Sequence, residues 1–128
     1  MTTEAPLLSA QGISKAFAGL LALSKVSLDV RAGEIVGLIG PNGAGKTTCF
    51  NTLTGFLVPT EGRIFFQGKD ITGQPPAAVT RLGMARTFQN IRVFGALTVR
   101  ENVIAAAQLH RRAGLLQTLL NLPTFRAA

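Results

Sequence analysis

Between Val26 and Val30 the chain alternates, with Val26, Leu28 and Val30 apolar against the polar Ser27 and Asp29. A period of two predicts a strand with one solvated face, as in an antiparallel sheet. Leu7 to Phe17 also reads as a strand, and Arg31-Ala32-Gly33 as a turn. Glu34-Ile-Val-Gly-Leu-Ile-Gly40 is different: its run is nearly all apolar, which predicts a strand buried on both faces of a parallel sheet. A glycine-rich loop comes next, and Lys46 to Phe56 predicts a helix stopped by Gly55 and the Pro59 region.

Further along, Thr60-Glu61-Gly62 predicts a turn before a short strand from Arg63 to Gln67, and Gly68 and Gly73 punctuate the next stretch of chain. Pro75-Pro76 opens a helix through Leu82, with Gly83 as its stop. Met84 to Phe88 is a candidate strand. Thr98-Val-Arg-Glu101 is a capping box, whose helix runs through Val103, Ile104 and Ala107 towards Leu109. A last apolar segment, Leu115 to Leu122, ends at Pro123. The pattern is α/β but incomplete, because a strand buried on both faces needs neighbours that few other segments can supply.

The loop between the apolar run and the helix carries the clearest chemistry. Gly40, Pro41, Asn42, Gly43, Ala44, Gly45, Lys46 and Thr47 satisfy G-x-x-x-x-G-K-S/T, with Thr48 extending it. A strand before and a helix after are the context that makes this a P-loop. A triphosphate crowds several negative charges together. Backbone N–H groups from about Gly43 to Thr48 can wrap it, and a helix N-terminus adds partial positive charge. Glycines at 40, 43 and 45 let the backbone approach and adopt positive φ. Lys46 supplies a point charge for the β- and γ-phosphates, and the Thr47 hydroxyl can ligate Mg²⁺. The reading is therefore ATP with Mg²⁺.

Composition narrows the setting. At 47% hydrophobic and 15% charged, the 128 residues suit a globular domain, somewhat apolar for one whose whole surface meets water. No run reaches the roughly 18 apolar residues of a membrane span, and the N-terminus lacks the basic start of a secretory leader. The single cysteine, Cys49, reads as a small buried residue on a helix and suits a reducing compartment. Net charge is +7 and lopsided: residues 81–128 hold seven arginines and one acid, Glu101. Such a half can face nucleic acid or an anionic surface. Only Phe88, Phe94 and Phe125 are interleaved there, at irregular spacing, which disfavours a base-stacking platform and any nucleic-acid partner.

The loop wording Gly40-Pro-Asn-Gly-Ala-Gly-Lys-Thr-Thr48 resembles that of the ATP-binding subunits of ABC transporters. Phe17 lies where that family places an aromatic that stacks on adenine. Arg86-Thr-Phe-Gln89 resembles the Q-loop, whose glutamine meets Mg²⁺ and the attacking water, so Lys46 and Gln89 are the residues the resemblance assigns to catalysis. Leu97-Thr-Val-Arg-Glu-Asn102 resembles the stretch after that loop. Gly19-Leu-Leu-Ala22, Thr52-Leu-Thr-Gly-Phe56, Ala85 to Asn90, Gly114-Leu-Leu and Leu122-Pro-Thr-Phe-Arg126 look like the subgroup serving branched-chain amino acid importers.

The resemblance implies a P-loop NTPase fold of the ABC ATPase type, with an N-terminal antiparallel β part and a partial parallel core. Residues 1–89 would form part of the nucleotide-binding core and residues 90–128 the start of a helical subdomain. It further implies a second ATP-binding subunit in a head-to-tail dimer, membrane permease subunits docked through residues after Gln89, and indirectly a solute-binding protein. The location would be the cytoplasmic face of the plasma membrane. Three family features find no match: the Leu-Ser-Gly-Gly-Gln-like signature, an apolar strand ending in Asp-Glu, and the switch histidine, for which His110 comes too early. The expectation is thus the N-terminal half of such an ATPase, marginal in isolation and unable to turn over ATP alone. The literal alternative is a non-catalytic nucleotide-binding fragment.

Overall fold

The computed structural model describes residues 5–90 and 92–107. The chain divides into two units, residues 1–87 and 88–128. Within the first, β1 (Leu8–Phe17), β2 (Leu20–Val30), β3 (Glu61–Phe66) and β4 (Lys69–Asp70) form one sheet in the order β2-β1-β3-β4. Every pairing is antiparallel. Ala18 and Gly19 join β1 to β2 with φ of 44° and 89°. Positive φ at both central residues is what a two-residue hairpin turn of type I′ requires.

The long hairpin is not regular. Its register shifts between Ala10 and Ile13, and again around Lys15. The freed backbone donors go to hydroxyls, which keeps them from being orphaned. Gly12 N–H donates to Ser27 Oγ at 2.8 Å, and Lys25 N–H to Ser14 Oγ at 3.0 Å. Gly62 passes so close to Gly12 that a side chain there would meet the Gly12 carbonyl at 2.5 Å.

Helix α1 (Lys46–Leu53) buries Cys49, Thr52 and Leu53, an i, i+3, i+4 stripe. These pack with Ala10, Ile13, Ile64 and Phe66 from the sheet, and with Val79 from α2 (Pro76–Arg81). Cys49 is the small buried residue expected of it, and burial pushes its thiol pKa up. Thr52 tolerates burial because its hydroxyl donates to the Thr48 carbonyl at 2.7 Å. Gly55, at φ 82°, ends the helix where any Cβ would strike the Gln74 carbonyl.

Two expected strands are not strands. Residues 34–40 have no regular secondary structure, and Ile35 and Ile39 are 98% and 95% exposed. The described residues contain no strand that pairs with this segment, so its apolar faces have nothing to pack on and no parallel pair forms. Met84 to Phe88 is likewise irregular. Strand β4 was not expected. Its hairpin turns on Gln67 and Gly68, with φ of 50° and 74°, and is closed by an Arg63–Asp70 ion pair at 2.6 Å.

In the second unit, α3 (Val99–Ala107) starts at the expected capping box. Thr98 N–H donates to Glu101 Oε2 at 2.7 Å, and Glu101 N–H to Thr98 Oγ1 at 3.3 Å. These Thr98 donors hold the Glu101 carboxyl below its ordinary pKa. Asn102 ties the preceding turn to the helix: its side-chain oxygen accepts from Phe94 N–H, and its amide donates to the Phe94, Leu97 and Thr98 carbonyls. The expected extension of this helix to Leu109, the Leu115–Leu122 segment, His110 and the arginines at 111, 112 and 126 lie outside the described residues.

Candidate functional site

The glycine-rich loop packs against β2 at one point, Gly45. Its φ is 90°, and a Cβ there would sit 2.6 Å from the Ala22 carbonyl oxygen and 3.2 Å from Leu23. Only glycine combines that conformation with that approach. Gly43, at φ 83°, turns the loop above it, and Ala44 N–H donates to the Pro41 carbonyl at 3.2 Å. The helical ladder of α1 opens with Cys49 N–H donating to the Gly45 carbonyl at 2.8 Å. The N–H groups of Lys46, Thr47 and Thr48 precede it and have no acceptor within the helix.

Those three residues line a cavity of about 370 Å³. Leu20, Leu21 and Ala22 of β2 form one wall; Asn42, Gly43, Gly45 and the first turn of α1, Lys46 to Thr48, form the other. The Lys46 ammonium donates to the carbonyls of Gly40 and of Pro41, the latter at 2.7 Å. Two of its three donors therefore tie the loop to itself and one is left for a ligand. Thr47 is exposed at the cavity. Helix-start donors, a partial positive charge and an ammonium on one wall make an anion cradle. The apolar β2 wall opposite suits the less polar part of a nucleotide.

The structure thus brings Asn42, Gly43, Gly45, Lys46, Thr47 and Thr48 together, with Gly40, Pro41 and Ala44 shaping the loop. Phe17 is not on the cavity lining; it is 42% exposed at the end of β1, paired with Leu20. Gln89 is exposed and belongs to the second unit. Sequence reasoning missed Leu20 to Ala22 as a cavity wall. It also missed Arg86, whose guanidinium donates to Asn51 Oδ1 at 2.7 Å and Thr54 Oγ1 at 3.0 Å, and lies 5.4 Å from the Phe56 ring centroid. The available signal was Asn51 in the last turn of the helix that carries Lys46 and Thr54, three positions on, at its C-cap.

A family model described as ABC transporter matches residues 23–127. The chain is 49% identical over 123 residues to the high-affinity branched-chain amino acid transport ATP-binding protein LivG of Salmonella typhimurium, covering 96% of this chain and 48% of that protein. It is 46% identical over 121 residues to BraF of Pseudomonas aeruginosa, which carries the same description, covering 94% and 48% respectively. Among solved structures, an ATP-binding cassette of an ABC transporter in its ADP conformation matches with a TM-score of 0.72 at 37% identity, over 93% of this chain and 46% of that one. The chain spans about half the length of the curated relatives it matches. The subgroup expected from its wording is the one these relatives occupy. With its P-loop built as that wording requires, the chain belongs to the ABC transporter family.

Proposed function

We propose that this chain carries the nucleotide-binding half-site of the ATPase subunit of an importer for branched-chain amino acids. The observation that carries the reading is the cavity between β2 and the start of α1, where loop shape, helix-start N–H groups and Lys46 converge. Its relatives' descriptions supply the transport context. In this reading the N–H groups of Gly43 and of Gly45 to Thr48 hold the phosphates, and Lys46 directs its remaining donor at the β- and γ-phosphates. Phe17 stacks on the base. Gln89 is assigned to the metal and the attacking water by resemblance.

The donor set fits Mg²⁺. No cluster of acidic, histidine or cysteine ligands occurs among the described residues, and the exposed Thr47 hydroxyl is at the cavity. Mg²⁺ usually takes few protein ligands, filling its shell with phosphate oxygens and water. Thr47 would hold it, and when bound it neutralises charge on the phosphates. The partners in this reading are a second ATP-binding subunit, head to tail, permease subunits met by residues after Gln89, and through them a solute-binding protein. The place is the cytoplasmic face of the plasma membrane. Among the described residues no helix is long and apolar enough to cross a membrane.

One observation favours a second reading for the chain by itself: none of the residues lining the cavity is a carboxylate that could polarise water. Binding without turnover is the result. Equilibrium titration with ATP tests both. Saturable binding is expected, weakened about 10- to 100-fold in Lys46→Ala through loss of charge-assisted hydrogen bonds. Phosphate release stays at background. Binding unaffected by Lys46→Ala would sink the half-site assignment, and steady phosphate release would sink the binding-only behaviour.

A further inference from the structure

Lys15 and Phe17 are two apart on β1 and so share a face of the strand. The Lys15 ammonium stands over the Phe17 ring, 5.2 Å from its centroid. It is not free to swing, because it also donates to the Val58 carbonyl at 2.7 Å. Val58 is itself anchored: it lies in the connection from α1 to β3, where Thr60 N–H donates to the Ser14 carbonyl at 2.8 Å and Thr60 Oγ1 accepts from Ala16 N–H at 3.1 Å. The cation is thus held over the ring from outside the hairpin. Across the hairpin Phe17 pairs with Leu20, a residue of the cavity's β2 wall, and directly opposed residues share a face, so the ring lies beside the cavity's edge without lining it.

An exposed phenylalanine at a hairpin end is a poor stacking platform, since it has two faces and no polar handle to fix it. A cation on one face changes that. It is attracted by the ring's quadrupole, pins the side chain, and leaves the opposite face for an electron-rich ring. We propose that Lys15 is a positioning residue for base recognition, holding Phe17 with one face covered and the other presented to a purine. This rests on the nucleotide reading above and adds to it a determinant of affinity for the base, separate from the phosphate cradle.

The test separates base from phosphate by titrating the chain with ATP and with inorganic triphosphate. Lys15→Met keeps the aliphatic stem and removes the charge. It is expected to weaken ATP about two- to fivefold and leave triphosphate unchanged. Lys15→Arg keeps the cation and preserves the ratio of the two affinities, with circular dichroism verifying the fold of each variant. Phe17→Leu weakens ATP by about tenfold, and in that background Lys15→Met adds nothing. Tighter ATP binding by Lys15→Met would overturn the role, because the ammonium would then compete with the base for the ring. Equal weakening of ATP and triphosphate would also overturn it, assigning Lys15 to the phosphates. If the unsubstituted chain binds neither ligand, the nucleotide reading itself fails; if it binds both and only the Lys15 variants are silent, the reading stands and the positioning role falls.

Discussion

Strand β1 and the segment 34–40 both carry apolar side chains and are interrupted by glycine, yet they end in opposite places. In β1, flanked in the sheet by β2 and β3, Ala10 and Ile13 are buried in one core with Cys49 and Leu53 of α1. In 34–40, Ile35 and Ile39 stand in solvent and the backbone pairs with no strand of the described residues. Segment 34–40 is the more apolar of the two, so apolarity does not account for the difference. It lies in whether partners are at hand: β1 has its hairpin mate two residues away and β3 tied to it through Thr60, whereas a parallel strand needs neighbours brought by crossover connections. Apolarity states a demand for cover without saying what supplies it. An exposed run of this kind is also a hazard for self-association.

The sharpest test removes a methyl-rich side chain from each region. Ile64→Ala, opposite β1 in the core, is expected to cost about 2–5 kcal/mol in urea unfolding, while Ile39→Ala shifts stability by less than about 0.5 kcal/mol. An equal loss at Ile39 would mean that the run is covered in solution and would break the comparison. A smaller effect is expected where the loop that follows segment 34–40 meets β2. Gly45→Ala forces a side chain onto the Ala22 carbonyl at positive φ, for about 1–3 kcal/mol of strain, and ATP binding in the same titration falls with it. Unchanged affinity would show that the loop does not depend on its seat against β2.

The smallest effect belongs to the sheet's outer edge. Hydrogen bonds from the Thr72 side chain and backbone, and from Arg63, hold the Asp70 carboxyl down at about 2. A carboxyl depressed in the folded state contributes stability that is fully present above its ordinary pKa and is lost as pH falls through the folded value. The β3–β4 turn should therefore loosen between about pH 4 and 2. Asp70→Asn should flatten that limb of the unfolding midpoint against pH. Because the carboxylate is solvent-exposed, the change is slight, and a steep limb that persists in the variant would assign it elsewhere.

The site was more legible than the sheet. The loop's shape could be read residue by residue because its motif constrains local backbone: glycine at 43 and 45 where φ is positive, and a lysine and a hydroxyl at the helix start. The capping box at Thr98 and Glu101 was legible for the same reason. Three features were not. Strand β4 is two charged residues, Lys69 and Asp70, and carries no hydrophobic period. The register shifts of β1 depend on Ser14 and Ser27 reaching backbone donors 11 and 15 positions away. Arg86 finds its partners 35 and 32 positions back. Composition counts it only as one more positive charge.

The lysine that clips Gly40 and Pro41 has one more consequence. A flexible glycine loop would have to be organised by its ligand, and the lost chain entropy would come out of the affinity. Here much of that ordering is completed during folding, by two hydrogen bonds from a side chain on the adjoining helix. In the nucleotide-binding reading proposed above, arriving phosphates would meet a receptor already set in shape, so they would displace water more than rearrange protein.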